Sequence, residues 1–429
     1  MKLWSKNTND VNTFMEYFTV GIDNQLDSEY FISYDITATK AHAKALCSAG
    51  IYTESELQQV LKELSILQDE VNDGVIVVRV EDEDCHTLIE RRLTITLGDL
   101  GKKIHTGRSR NDQALTMIRL FMLYTLYSDI QVKVDRLQRV FKGLRSEYDD
   151  DIFIGYTHTQ QAMPITLGHY FDSFREQLQD CSDYITLVGK SMDKNPLGSG
   201  AGFGSSVNID REITTEELAF DDIQVNSLYC QNSRGQYELR YVHLLSQVMF
   251  VLQKFASDMI LYTSREFGFF DVDPSISTGS SMMPQKKNLD IAELIRANHA
   301  MVMGNETQIQ TLCHGLVSGY NRDYQLIKNC IVEAFKTTDA SLSATLVLLE
   351  GLKPNHDAIK SKLNVDMFAT DIAINESIVT GKPFRTLYQS ILSDIDNIKL
   401  SESEMLNLVK KRVTLGSPGN YKSEGDWII

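Results

Sequence analysis

The sequence predicts a predominantly α-helical protein, and three observations lead to that fold class. Proline is scarce: there are 7 in 429 residues, with none before Pro164, whereas an average protein has about 5%. Two long segments carry apolar residues at helical spacing. Strand-like alternation is rare, and Val75–Val80 is the one short run that reads as a strand. We therefore expect an all-α fold.

The first long segment, residues 111–142, contains neither glycine nor proline. One apolar stripe at steps of four and three begins in its second half and continues just past its end, formed by Ile130, Val134, Leu137, Phe141 and Leu144. Its first half, 114–127, is apolar on nearly all sides, which is typical of a helix in the centre of a bundle. The second segment, 237–267, has the same character. Two such helices predict a helix-bundle core.

Composition narrows the class of protein. With 42% hydrophobic and 23% charged residues, the chain resembles an ordinary globular protein of two to four domains. A net charge of −16 argues against a nucleic-acid partner. The six cysteines show no metal-binding spacing, the N-terminus does not resemble a signal peptide, and charged residues interrupt the most apolar stretches. We expect a soluble, cytoplasmic protein without a membrane partner.

Glycine and serine cluster in three places: around Gly107, at 198–206 and at 275–281. Such breaks are candidate functional segments, because loops on rigid scaffolds often carry the chemistry. Boundaries after Gly107 and near 351–354 predict an N-terminal helical domain (1–107), a central long-helix domain (108–351) and a C-terminal helical domain (352–429).

The third break contains the sequence GSSMMPQKKN at 279–288. It combines flexible residues, two hydroxyl groups, two ammonium groups and a carboxamide, a set that suits the closure of a loop over a carboxylate. A positive field makes a serine hydroxyl more acidic. Lysine and asparagine alone would indicate a solvated loop, but the whole combination favours an anion site.

Two further segments carry polar groups beside apolar helices. Thr157-His158 precedes an expected helix start at Met163-Pro164, where a histidine can bind an anion or transfer a proton. The segment HTGRSRNDQ at 105–113 places two guanidinium groups just before the first long helix. The alternative interpretations are a structural histidine and an ordinary helix cap at Ser109 or Asn111.

These three segments, in this order, resemble the three signature regions of the fumarase/aspartase superfamily. HTGRSRNDQ together with GSSMMPQKKN resembles in particular the argininosuccinate lyase family. The resemblance extends from Leu3-Trp4 to Pro383-Phe384-Arg385, which is nearly the whole chain. The loop alone would identify only the superfamily, whereas the Ser-Arg-Asn segment and the 320/325/328 spacing indicate a substrate that bears arginine.

The resemblance implies roles for individual residues. Ser280 is the implied base that removes a proton from the succinyl Cβ, while Lys286 and Asn288 hold a substrate carboxylate. His158 performs acid–base work on the departing guanidinium and Glu293 orients it, although the division of acid and base between His158 and Ser280 stays open. The implied carboxylate-binding positions are Ser109, Arg110, Asn111 and Thr157, and those implied for the arginine end are Tyr320, Gln325 and Lys328.

The resemblance further implies a three-domain fold whose long central helices form a twenty-helix bundle in a homotetramer. Each active site would be assembled from three subunits. The implied reaction is the reversible, non-hydrolytic β-elimination of argininosuccinate to arginine and fumarate, a step of arginine biosynthesis, without a metal or organic cofactor.

Gly21, Met163 and Leu289 depart from the pattern of the family, which has Ser, Gln and Pro at these places. None of them removes a group that the elimination needs. Two alternatives stay open: another lyase of the superfamily, such as adenylosuccinate lyase, aspartase or fumarase, and a non-catalytic structural protein on the same scaffold. A substrate panel separates the first, and an activity assay the second.

Overall fold

The computed structural model describes residues 13–421, most of which are helical. The predicted all-α class is confirmed. The α-helices of the described residues are α1 Thr13–Val20, α2 Asp23–Leu26, α3 Ile32–Ser48, α4 Glu54–Asn72, α5 Cys85–Leu97, α6 Asp99–Lys102, α7 Arg110–Thr125, α8 Val132–Glu147, α9 Leu167–Met192, α10 Arg211–Glu217, α11 Ser227–Asn232, α12 Gln236–Tyr262, α13 Asp290–Cys313, α14 Ile327–Glu350, α15 His356–Ser361, α16 Ala369–Thr380, α17 Phe384–Asp394 and α18 Glu402–Lys410.

Two π-helical turns join neighbouring helices. Asp27–Phe31 connects α2 to α3, and Leu126–Gln131 connects α7 to α8 without a break. The first long helix predicted from the sequence therefore exists, and it extends from Arg110 to Glu147. The short 3₁₀ turns are Val80–Asp82, Lys103–His105, Pro274–Ile276, Arg322–Leu326, Val365–Phe368 and Ile395–Asn397.

The second predicted helix is α12, which ends at Tyr262 rather than near Phe267. Gly268 has a left-handed φ of 61°, and its N–H donates to the Ser264 carbonyl at 2.7 Å, so the chain turns away from the helix here. By length and composition alone, the helical stretch Ser227–Tyr262 would be long and apolar enough to cross a membrane. More than half of its apolar window is buried within the protein, as in a core helix.

Short strands form four two-stranded sheets within residues 13–421. β1 (Ile152–Thr157) and β2 (Gln160–Thr166) make an antiparallel hairpin with Ile152 opposite Thr166. β3 (Lys194–Asn195) pairs in parallel with β4 (Asp222–Ile223). β5 (Phe270–Val272) pairs with β8 (Leu352–Pro354), and β6 (Thr278–Gly279) with β7 (Lys287–Asn288), both antiparallel.

The strand-like reading of Val75–Val80 is wrong. Residues 75–79 form no strand, and Val80 begins a 3₁₀ turn. Side chains of the N-terminal helical segment satisfy this backbone instead: Ser28 Oγ accepts from the Val78 N–H at 2.6 Å, and Asn24 Nδ2 donates to the Val78 carbonyl at 3.2 Å. An alternating pattern does not make a strand where side chains take the place of a partner strand.

The chain divides into two compact units. Within the described residues, unit 1 comprises 13–132, Asp183–Met249 and Asn298–Ala340, and unit 2 comprises Lys133–Ser182, Phe250–Ala297 and 341–421. In unit 1, Phe121 packs edge-on against Phe31 and Phe335, with ring centroids 5.0 and 5.7 Å apart. In unit 2, Phe153 lies at the centre of an aromatic cluster that includes Tyr170 and Tyr262.

Candidate active site

The first signature segment forms the start of α7 in unit 1. Ser109 caps the helix in a capping box with Asp112, so the capping interpretation of Ser109 holds. The Asp112 carboxylate accepts backbone N–H groups from Ser109, Gly198 and Gly200 at 2.8–3.0 Å. Burial raises the pKa of Asp112 to about 6, although these donors act against the shift. Asp112 thereby ties the glycine-rich segment to the helix that carries Arg110.

Five of the predicted binding residues line one cavity of about 160 Å³ in unit 1. They come from the start of α7 and from the segment that leads into α14, and they are Arg110, Asn111, Tyr320, Gln325 and Lys328. The structure thus brings the start of α7 and residues 320–328, more than 200 positions apart in the chain, to the same cavity. Ser109 is half-buried at the helix start but does not line this cavity.

Lys328 is buried and paired with two carboxylates. Its Nζ lies 2.9 Å from Asp23 Oδ2 and 2.8 Å from Asp27 Oδ1. Burial opposes the charge of Lys328, but the Asp27 and Asp23 carboxylates outweigh it and raise the pKa of the ammonium group. Gln325, one turn earlier, donates from Nε2 to the carbonyls of Thr19 and Val20 at 2.8 and 3.2 Å.

Arg110 faces Glu83 and Asp84, which form an acidic wall of the cavity. Its NH1 lies 3.3 Å from Asp84 Oδ2 and 3.6 Å from Glu83 Oε2, and its NH2 donates to Thr87 Oγ1 at 2.9 Å. Glu83 also pairs with Arg322 at 3.4 Å. The cavity thus presents both cations and carboxylates, as a substrate with both kinds of charge requires.

Behind this wall, the structure brings together three potential metal ligands, Asp35, Cys85 and His86. His86 Nδ1 lies 2.7 Å from Asp35 Oδ2, and Gln113 donates to the same carboxylate. Burial disfavours a charge on His86, yet Asp35 raises the pKa of the imidazole. These contacts describe a hydrogen-bonded ion pair that supports the cavity wall at His86.

The structure corrects the local setting of His158. His158 and Thr159 are the two central residues of the β1–β2 turn, with φ of 53° and 58°, and α9 begins only at Leu167. The expected helix entry at Met163-Pro164 is wrong, because Pro164 lies in β2 opposite Ile154. An outer strand tolerates a proline, which donates no hydrogen bond.

The hairpin presents its tip to solvent. Thr157 and His158 are both exposed, and no side-chain hydrogen bond to the imidazole occurs within residues 13–421. The adjacent Gly155 permits close approach of the strands, since a Cβ there would lie 2.4 Å from the Met163 carbonyl oxygen. The strand pair therefore holds His158 at a defined place while leaving both ring nitrogens available.

The third signature segment is the loop closed by β6 and β7 in unit 2. Ser280 Oγ accepts hydrogen bonds from the backbone N–H groups of Met282 and Met283 at 3.3 and 3.1 Å. At the base of the loop, Asn288 Nδ2 donates to Thr278 Oγ1 at 3.4 Å. Lys286 is exposed, and residues 280–286 form a mostly exposed loop between the two strands.

The predicted pairing of His158 with Glu293 is absent from the single chain. Glu293, in the first turn of α13, is exposed, and its carboxylate contacts no other described residue by a hydrogen bond. Unit 1 therefore contains the residues predicted to bind the arginine end. In unit 2, His158 lies at the exposed tip of the hairpin and Ser280 lies in the loop between β6 and β7.

Several cavity residues were not predicted, and Arg234 is the clearest of them. The residue is 7% exposed, and its guanidinium donates to the Asn111 carbonyl and stacks over the Tyr320 ring at 5.1 Å from the centroid. Asp23 was missed as well. Neither lies in a motif, and only the fold brings them to the cavity.

The structure shows the local surroundings of the three residues that depart from the family pattern. Gly21 adopts φ 58°, a conformation that favours glycine over serine. Met163 lies in β2, and Leu289 is 7% exposed just before α13. A leucine here fills apolar space where a proline would start the helix.

Comparison with known proteins identifies the family. Residues 8–304 match the profile of a family described as Lyase. The argininosuccinate lyase of Thermotoga neapolitana is 37% identical over 91% of this chain and 97% of its own length, and that of Stenotrophomonas maltophilia is 39% identical over 92% and 91%. The chain belongs to the argininosuccinate lyase family. As a member of this family, it is a carbon–nitrogen lyase.

Solved structures support the same fold for this family member. The crystal structure of EDDS lyase in complex with formate has a TM-score of 0.79 at 22% identity, covering 96% of this chain and 88% of that one. The class II fumarase of Schistosoma mansoni has a TM-score of 0.73 at 18% identity, covering 91% and 94%. These likenesses confirm a fumarase/aspartase-like fold with long helices.

Proposed function

We propose that the protein catalyses the reversible elimination of argininosuccinate to arginine and fumarate, as a step of arginine biosynthesis in the cytoplasm. The observation that carries this proposal is the single cavity lined by Arg110, Asn111, Tyr320, Gln325 and Lys328. Argininosuccinate carries carboxylates, an ammonium group and a guanidinium group. A cavity with both arginines and carboxylates suits such a ligand better than a uniformly cationic one would.

In this proposal, Ser280 removes the proton from the succinyl Cβ. A serine hydroxyl becomes a base only if its alkoxide is stabilised, and the two backbone N–H groups that point to Oγ supply donors for that charge. Lys286 and Asn288 then hold the adjacent carboxylate as it takes up negative charge. Fixed donors of this kind lower the barrier because they need no reorganisation during the reaction.

His158 is the proposed partner for the leaving group. With both ring nitrogens available, it can carry a proton to the departing guanidinium while Glu293 of a neighbouring subunit orients the ring. Ser109 and Thr157 complete the carboxylate contacts. Cβ loses its proton, the C–N bond breaks, and the electron pair leaves with the guanidinium nitrogen, so the atoms balance without a metal or organic cofactor.

We further propose that the working enzyme is a homotetramer with shared sites and a twenty-helix core. The exposure of His158 and of the Ser280 loop supports this, because a single chain leaves both in solvent. Large apolar side chains also remain exposed along the long helices, among them Tyr124, Tyr127, Val132, Leu294, Met301 and Met303. The division at 1–107, 108–351 and 352–429 stays part of the proposal.

A substrate panel tests the function. The purified protein should release fumarate, followed by its ultraviolet absorbance, from argininosuccinate but not from adenylosuccinate, aspartate or malate. Fumarate from one of those three alone would assign the chain to another chemistry, and no turnover of any substrate would favour the structural role. Light scattering should give four times the 48.6 kDa chain mass.

A further inference from the structure

The charges of the 160 Å³ cavity are paired with two exceptions. Arg110 and Arg322 face Glu83 and Asp84, as described above. The two exceptions are a carboxylate with one unused oxygen and a guanidinium without a carboxylate partner.

Asp23 supplies the carboxylate. Lys328 Nζ bonds to its Oδ2 and also to Asp27, so one ammonium group serves two acids. Asp27 is fully used, because its other oxygen accepts the Cys85 N–H at 2.9 Å. The Oδ1 of Asp23 accepts no hydrogen bond from any described residue, and Asp23 lines the cavity. Burial raises its pKa to about 6, which reflects an incompletely compensated charge.

Arg234 supplies the guanidinium. Its Nε donates to Gln231 Oε1 at 3.1 Å and its NH2 to the Asn111 carbonyl, both neutral acceptors. No carboxylate of residues 13–421 forms an ion pair with it, although the charge of Glu238 in α12 acts on it from a distance. A buried arginine of this kind is costly unless an anion joins it.

We propose that Asp23 and Arg234 recognise the two charges of an α-amino acid head group: Asp23 binds the ammonium group and Arg234 the carboxylate of the arginine moiety. This assignment rests on the proposed function and extends it. The bond that breaks joins the guanidinium to the succinyl group, so the head group lies at the far end of the arginine moiety. Both residues then act on binding more than on the chemical step.

The lining of the cavity supports the pairing, because both unpaired charges lie on the walls of the same cavity. The Tyr320 ring covers one face of the Arg234 guanidinium, which leaves the planar edge for a bidentate contact with a carboxylate. Specificity for an amino acid follows, because a ligand that lacks either charge leaves one buried group unpaired.

Binding of three arginine-like probes to the intact enzyme tests the assignment by calorimetry. L-arginine carries both charges, agmatine lacks the carboxylate, and 5-guanidinovaleric acid lacks the ammonium group. Asp23→Asn should weaken arginine and agmatine about 10- to 100-fold and leave 5-guanidinovaleric acid nearly unchanged. Arg234→Gln should weaken arginine and 5-guanidinovaleric acid by a similar factor and spare agmatine.

Asp99→Asn is the matched control, because Asp99 also pairs with a lysine, Lys102 at 2.7 Å, but on an exposed helix. It should leave all three affinities unchanged. Circular dichroism checks folding, and Arg234→Lys serves as a second variant that keeps the charge and should lose less affinity for 5-guanidinovaleric acid than Arg234→Gln does. Equal loss for all three probes would overturn the assignment and indicate a purely structural role. If the wild type releases no fumarate from argininosuccinate, the proposed function fails separately, whatever the probes do.

Discussion

Lys328→Met removes one ammonium group from between two buried carboxylates and keeps most of the side-chain volume. In the wild type, Nζ makes contacts of 2.9 and 2.8 Å with Asp23 and Asp27, whose side chains are 13% and 0% exposed. Deleting the cation leaves two like charges one helical turn apart. Breaking a buried pair by removing one partner costs about 3–5 kcal/mol, a large fraction of the roughly 5–15 kcal/mol that stabilises a folded protein.

The free energy of unfolding in urea, measured at one protein concentration, gives the size of the destabilisation. The pH dependence of this free energy shows whether the carboxylates left without a cation cause it. Burial already raises the pKa of Asp23 to about 6 in the wild type, and without the Lys328 cation nothing opposes that rise, so the folded variant binds more protons than the unfolded chain. Its stability is then lost as the pH rises through the folded pKa of Asp23, and the gap to the wild type should narrow by about 1–2 kcal/mol from pH 7 to pH 5.

Lys102→Met provides the control, because Lys102 and Asp99 form a solvent-exposed pair whose loss should leave the free energy of unfolding nearly unchanged. Adding Asp27→Asn to Lys328→Met should restore part of the loss, since it removes one stranded charge while an amide oxygen can still accept the Cys85 N–H. A loss below 1 kcal/mol at pH 7, or a gap that does not change with pH, would refute the reasoning.

Three further outcomes are expected. Ser280→Ala should lower kcat about 10²- to 10⁴-fold with the fold intact, because the proposed base is gone, as measured by fumarate release. Mixing and refolding inactive His158→Ala and Ser280→Ala chains together should restore activity, because some sites of a hybrid tetramer draw both intact residues from different subunits. Thr159→Gly should raise the unfolding free energy by about 0.5–1 kcal/mol, since a β-branched residue at φ 58° is strained.

Each outcome has its own check. Ser281→Ala, next to Ser280, should retain far more turnover, and equal losses would contradict the assignment of the base. Hybrid tetramers that form but stay inactive would rule out shared sites. Thr19→Gly, within helix α1, should destabilise the protein instead, so a gain at both positions would speak against relief of turn strain.

The sequence was most informative where chemistry is concentrated in short segments. The start of α7 and the 320–328 segment were both identified from the sequence as substrate-binding, and both line one cavity in the structure, where their roles stay predictions. The long helices were predictable too, since a run without glycine or proline at helical spacing leaves few alternatives. The predicted pairing of His158 with Glu293 stays a prediction, as does the division into three domains.

Contacts between residues that are distant in the sequence determine the features that the sequence could not predict. The segment Val75–Val80 has strand-like alternation, but the Ser28 and Asn24 side chains take the hydrogen bonds of the Val78 backbone at its centre. Pro164, six residues after His158, looks like a helix start in the sequence. In the structure Pro164 lies opposite Ile154 in a β-hairpin, and His158 lies in the turn of that hairpin. Asp23 and Arg234 carry no motif, and their importance comes only from unpaired charge in a shared cavity.

The π-helical turn at Asp27–Phe31 makes this part of the chain unusually sensitive to length. An α-helix rotates about 100° per residue, so an insertion or deletion of one residue changes which side chains share a face. Losing one residue from the wide turn would convert it to ordinary helix and swing Asp23 away from Lys328, while the helix itself survived intact. Among related enzymes, a one-residue gap at this place would therefore mark a change in ligand preference that comparison of the signature segments alone would miss.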